Sequence, residues 1–358
     1  MALQSAAMGS GDPITNIDPQ GRGSWDIDDD VLRLRRWATE YAHRLPDPRV
    51  PISLGSAPTC DVQLHDEEGL LSREHAMMLP ESTGWEILDR DSRNGLKVDG
   101  VATARSSVRA GAKIQLGGLV LVAESLKSIG LRSLVGRLVG WAPARQGAVD
   151  EALQSLRDCA VQRAPMFLLG DGDLVPVAAR LQRRTLGPSA PFLNYEGGDI
   201  ATAMRDAMRG TLCVSIDHQS TASAIALAYQ AAPLATRPRL VLCASDEKHT
   251  STVSRTLGRL AVIEVPAIDA RRDEISRLVH EVGDDIMREM EVPATGFTMH
   301  DLERLQSMKF GGMSELEESI RRVIAMRTWG VTAGAKKLGI KHSSLSQWAR
   351  SKNRKLSS

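Results

Sequence analysis

The chain has 358 residues, 42% hydrophobic and 25% charged, with a net charge of +1; that length exceeds what one core serves, so two or three domains are expected. No apolar run approaches the roughly 18–20 residues needed to cross a bilayer, and residues 1–24 lack the basic-then-apolar order of a signal peptide. A soluble, cytoplasmic protein without membrane attachment is expected. Cys60, Cys159, Cys213 and Cys243 stand far apart and the eight histidines are scattered, which supplies neither a disulfide framework nor metal-ligand spacing.

Residues 1–24, rich in Ser, Gly, Asp and Pro, read as a disordered lead-in. Over residues 25–124, β-type runs recur between turn signals at Val31–Trp37, Val50–Leu54, Val62–Leu64, His75–Leu79, Trp85–Leu88, Leu96–Val98, Lys113–Leu116 and Leu119–Val122. Many short strands at this spacing predict an all-β sandwich or barrel.

Three motifs lie in that stretch: Leu54-Gly55-Ser56 leading to Cys60-Asp61-Val62, then Leu71-Ser72-Arg73-Glu74-His75-Ala76, then Asp91-Ser92-Arg93-Asn94-Gly95, with Leu116-Gly117 closing the run. As a set they resemble the FHA (forkhead-associated) domain over about a hundred residues. The resemblance implies an eleven-stranded sandwich whose loops at one end bind phosphothreonine, and hence a phosphorylated protein partner in a Ser/Thr kinase pathway. Ser72, Arg73 and Asn94 match its phosphopeptide-contacting positions. Ser56 and Ser92 complete the candidate set, and His75 matches a position that braces the loop. A phosphate near −2 needs hydroxyl, backbone N–H and guanidinium donors that converge. Where the family usually has Arg after the first Gly, this chain has Ser56, and one lost charge-assisted contact costs about 1.5–3 kcal/mol, tenfold to a hundredfold in affinity.

Residues 125–147, punctuated by Gly130, Gly136, Gly140, Pro143 and Gly147, read as a linker. Residues 148–310 alternate helical patterns, such as Val149–Ala160 and Leu174–Arg183, with strand-like runs at Met166–Leu169, Thr211–Ile216, Arg239–Ala244 and Ala261–Val265. That alternation predicts an α/β domain around a parallel sheet. The segment order, with Met166-Phe167-Leu168-Leu169-Gly170, Gly210-Thr211-Leu212, Arg239–Ser245 and Arg271-Arg272-Asp273-Glu274-Ile275, resembles the AAA+ domain of bacterial enhancer-binding proteins. The chemistry of that family is missing. A phosphate loop needs Lys and Ser or Thr, but Gly170 is followed by Asp171-Gly172-Asp173-Leu174. Ser215-Ile216 stands where the magnesium-binding acidic pair belongs, and Asp217 comes two positions late. No catalytic residue, cofactor or enzymatic activity is assigned; a different α/β fold acting as scaffold is the alternative.

Beyond Thr298 the pattern is helical. Residues 314–328 carry a helical stripe of Leu316, Ile320, Val323, Ile324 and Met326, with Ser314 and Glu317 spaced as a capping box. Short helices at Val331–Ile340 and Lys341–Lys352 meet across Gly339, which fits a helix-turn-helix. Residues 311–358 resemble the Fis-type DNA-binding domain on Thr332, Ala335, Leu338, Gly339, Ile340, Ser343 and Leu345, departing from it at Trp348 and Ala349. No acidic residue follows Glu318, while ten Lys or Arg do; 35 basic residues face 44 acidic ones before that point. An acidic body with a cationic end suits a polyanion such as double-stranded DNA. Ser343, Ser344, Gln347 and Arg350 are candidates for the groove, Lys341, Lys352 and Arg354 for phosphates, with Thr332 and His342 beside them. The resemblance implies a homodimeric bacterial transcription regulator. A phosphothreonine-dependent adaptor without DNA binding is the rival reading.

Overall fold

The computed structural model describes residues 30–351 except 83, 163–164, 187–188, 217–218, 234–236, 259 and 295. The lead-in 1–24 and the candidates Asp217, Lys352 and Arg354 lie outside the described residues. No helix among those described is long and apolar enough to cross a membrane.

Eleven strands build the first unit: β1 (Arg33–Arg36), β2 (Ala42–Arg44), β3 (Ile52–Gly55), β4 (Val62–Gln63), β5 (Ala76–Glu81), β6 (Gly84–Asp89), β7 (Leu96–Val98), β8 (Val101–Thr103), β9 (Arg105–Val108), β10 (Lys113–Leu116) and β11 (Leu119–Glu124). They form two sheets, β2-β1-β11-β10-β7-β8 and β4-β3-β5-β6-β9, antiparallel except for β3 with β4. Alternation places Leu34, Leu54, Met78, Ile87, Ile114, Leu116 and Leu121 between them, each fully buried. The runs at β2, β8 and β9 escape a sequence reading because Ala42–Arg44 and Val101–Val108 are short, polar and mostly exposed.

Arg35 breaks the alternation: it points away from the sandwich core yet is only 1% exposed. The helices that follow explain it. Residues 125–147 are not a linker but α1 (Leu126–Val139), capped by Ser125 and Ser128, followed by a turn of 3-10 helix at Pro143–Arg145 and the start of α2 (Gln146–Gln162). Arg35 Nη2 reaches Asp150 Oδ1 at 2.5 Å and its Nε reaches Glu124 at 2.7 Å. Arg132 of α1 also pairs with Asp150, and the Ala38 amide donates to the same carboxylate at 2.7 Å. The helical hairpin is thus bolted to the outer face of the sandwich by buried charge. Gly136, read as a linker signal, lies where a Cβ would come within 2.8 Å of the Trp141 indole nitrogen; the glycine serves packing.

The second unit alternates β12 (Met166–Leu169), α3 (Leu174–Leu186), β13 (Phe192–Tyr195), α4 (Ile200–Asp206), β14 (Thr211–Ser215), α5 (Gln219–Ala231), β15 (Arg239–Ala244), α6 (Lys248–Leu257) and β16 (Ala261–Glu264). Its sheet runs β13-β14-β15-β12-β16, all parallel. Both faces are covered: Met166, Leu168, Cys213 and Val241 face one helical layer, and Phe167, Leu212, Val214 and Leu240 face the other. Then come α7 (Ile275–Glu289), α8 (Met299–Gln306), α9 (Met313–Lys337) and α10 (His342–Ser351). The boundary expected at residue 311 does not separate two cores. Leu316, Ile320, Val323 and Ile324 of α9 are at most 4% exposed and belong to the same cluster as Leu168, Leu278 and Val282.

Candidate functional site

At one end of the sandwich the β3–β4, β4–β5 and β6–β7 loops meet, and backbone contacts determine how. Gly55 allows the approach, because a Cβ there would lie 2.1 Å from the Arg73 carbonyl. The Ser56 amide then donates to the Ser72 carbonyl at 3.1 Å and the Ala57 amide to that of Arg73 at 3.0 Å. His75 is fully buried; its Nδ1 accepts from the Ser72 amide at 3.1 Å, which puts the proton on Nε2, 3.0 Å from the Gly95 carbonyl. Ser72 Oγ accepts from the Arg93 amide at 3.0 Å, and Asn94 Nδ2 donates to the Leu70 carbonyl at 2.7 Å. Asp66 collects the Leu70 and Leu71 amides, both at 2.7 Å.

Ser56, Ser72, Arg73 and Asn94 therefore form one cluster, and His75 braces it as expected. Ser72 accepts through its oxygen, so its hydroxyl hydrogen is free to donate outward, beside the exposed Arg73. Ser92 stands apart in role: its hydroxyl donates to Asp89 Oδ1 at 2.6 Å inside its own turn. Asp66 and Arg93 were missed by sequence reasoning. Arg93 lies inside the Asp91–Gly95 motif, whereas Asp66 carries no signal beyond a carboxylate before a Gly turn.

In the C-terminal helices, Gly330 (φ 74°) breaks α9 and Gly339 (φ 67°) ends it, with the Ile340 amide returning to the Ala335 carbonyl at 3.0 Å. Ala335 and Leu345 are buried where the two short helices cross. Thr332, Lys341, His342, Ser343, Ser344, Gln347 and Arg350 are all exposed. The capping box expected from Ser314 and Glu317 does not form. The N-cap is Gly312, with no side-chain cap, and Glu317 is drawn instead to Arg180 of α3. Burial lowers the pKa of that guanidinium to about 10, partly offset by Asp285. Trp348, a departure from the Fis pattern, is half-buried: the Arg304 guanidinium lies 4.2 Å from its ring centroid and donates to its carbonyl at 2.8 Å.

The loop after β12 is closed by chain. A Cβ on Gly170 would lie 2.1 Å from the Val265 carbonyl, one on Gly172 2.7 Å from that of Gly311, and one on Gly312 2.0 Å from Asp173 Oδ1. The glycines here let segments of protein touch each other. Between Leu138, Asp171, Asp173, Val265 and Met313 only a crevice of about 20 Å³ remains, the space of a water or so.

The geometry of strands and loops decides the first unit. It is an FHA-like β-sandwich. A family model described as "Inner membrane component of T3SS, cytoplasmic domain" matches residues 42–125. No curated protein sequence matches the chain. Among solved structures, the sandwich is similar to the FHA domain of the CT664 protein from Chlamydia trachomatis, at 24% identity over 26% of this chain and 95% of that one, with a TM-score of 0.24. A structure titled for phosphothreonine-dependent FHA domain interactions matches at 17% identity over 26% of this chain and 94% of that one, with a TM-score of 0.24. Mycobacterium tuberculosis EmbR in complex with a low-affinity phosphopeptide matches at 21% identity over 26% of this chain and 24% of that one, with a TM-score of 0.24.

Proposed function

We propose that this protein is a non-catalytic, sequence-specific DNA-binding transcription regulator that docks a phosphorylated protein through its FHA-like loops. One observation carries the DNA reading: Ser343, Ser344, Gln347 and Arg350 are exposed on α10, with exposed Lys341 just before it, and the helix is anchored behind by Leu345 and Trp348. That is a helix-turn-helix posture, with small polar side chains toward base edges and cations toward phosphates. Support for the docking reading comes from the clustering of Ser56, Ser72, Arg73 and Asn94.

The middle domain fits a degenerate AAA+-like scaffold. It has a five-stranded parallel sheet, a helical lid, and a loop after β12 at the point where strand order reverses, the usual ligand crevice of such sheets. Asp171 and Asp173 repel a nucleotide there, and Gly311–Met313 fill the space one would need. The domain serves to position its neighbours.

Titration of the full-length protein with duplex DNA across a salt series tests this. Affinity should fall steeply as salt rises, and Lys341→Ala with Arg350→Ala should remove up to about 1.8 from the slope of log affinity against log salt. A flat slope, or equal affinity for every sequence, rejects DNA recognition and leaves the adaptor reading.

A further inference from the structure

Two arginines stand on the assembled loops. Arg73 follows Ser72 in the chain, and the bond from the Arg93 amide to Ser72 Oγ at 3.0 Å holds the Arg93 backbone beside it. Both side chains are exposed, and among the described residues neither has a carboxylate or carbonyl partner. Other arginines among the described residues are satisfied internally: Arg33, Arg35, Arg105, Arg132 and Arg137 all hold carboxylates. Two unpaired cations beside a free hydroxyl make a place that is short of an anion, and two forks suit a dianion with three acceptor oxygens.

Four carboxylates stand around them, with Arg90 beside the last of these. Glu67 and Glu68 lie on the loop whose Leu70 carbonyl holds Asn94, Glu74 follows Arg73 directly, and Asp91 opens the turn that delivers Arg93. All four are exposed, and among the described residues none has a cationic partner. An acidic protein target would be repelled by this rim, and a basic one would be drawn to it.

Building on the docking reading above, we propose that the loops select a phosphothreonine flanked by Lys or Arg. Arg73 and Arg93 share the phosphate, so that Arg93 supplies the charge-assisted contact that Ser56 cannot. The rim of Glu67, Glu68, Glu74 and Asp91 receives the basic flanks.

Binding of the full-length protein to three synthetic peptides tests it: phosphothreonine with Lys and Arg flanks, phosphothreonine with Asp and Glu flanks, and the unphosphorylated basic peptide. The basic phosphopeptide should bind at least about tenfold tighter than either other. Arg93→Ala should weaken it by about tenfold or more, with an unchanged thermal unfolding midpoint showing that the fold survives. Glu67→Gln, Glu68→Gln and Glu74→Gln together should shrink the preference for basic flanks. Equal binding by Arg93→Ala and wild type, or tighter binding of the acidic phosphopeptide, overturns the proposal. Failure of wild type to distinguish phosphorylated from unphosphorylated peptide removes the docking reading itself, a separate outcome visible without any variant.

Discussion

His75 is fully buried and uses both ring nitrogens, one toward the Ser72 amide and one toward the Gly95 carbonyl. Its removal strands two backbone groups where water does not reach. His75→Ala is expected to cost about 2–4 kcal/mol, read from the urea unfolding midpoint, and to weaken the proposed phosphopeptide binding because the Ser72 and Arg93 loops lose their common brace. Glu274 is the residue to follow with pH. Burial pushes its carboxyl up, but the Ala142 amide, the Arg271 guanidinium and the Trp141 amide outweigh that and hold it below its ordinary value. Such a group stabilises the fold fully above the unfolded value of about 4.5 and loses that contribution as pH falls through the depressed folded value. Glu274→Gln should therefore flatten the decline of the unfolding midpoint below about pH 5; an unchanged acid slope would remove Glu274 as its cause. At this scale the sequence is informative where chemistry sits in a motif, as at Ser72, His75 and Asn94. It is silent where a partner arrives from far along the chain, as Asp150 does to Arg35, 115 residues away.

The elements were legible where burial is simple. β12 and β15 lie where their apolar runs end, since both faces of a parallel strand are covered. β13 was missed because Phe192–Tyr195 sits at the sheet edge, half-exposed throughout, and α1 was missed because four glycines and Pro143 in one stretch mimic a linker. The helix α9 shows the deepest difference between pattern and structure. The sequence reading opens a separate unit at residue 311, but Leu316, Ile320 and Val323 complete the core of the α/β domain. Truncation after residue 340 should leave a protein that unfolds cooperatively, whereas truncation after residue 310 should yield an insoluble or molten product. Circular dichroism melts and size-exclusion profiles of the two forms check this, and a well-folded 1–310 fragment would contradict it.

Across the whole molecule, the sandwich and the α/β domain meet through ions more than apolar contact. Arg35, Glu124, Arg132 and Asp150 are each at most 6% exposed at that junction. Removing one member leaves the rest buried and unbalanced, so Asp150→Ala should cost about 3–5 kcal/mol by equilibrium denaturation. Where the ions sit also fixes the relative orientation of the two units, a property no local pattern could announce. The charge split along the chain was legible, and so was the open face of α10. What holds α10 was not: Trp348 rests against Arg304 of α8, so α10 takes its tilt from inside the protein. On the DNA reading proposed, a substitution behind that contact, at Leu305 or Met308, would behave like a bent needle on a gauge, shifting which sequence is preferred while the exposed side chains of α10 stay the same.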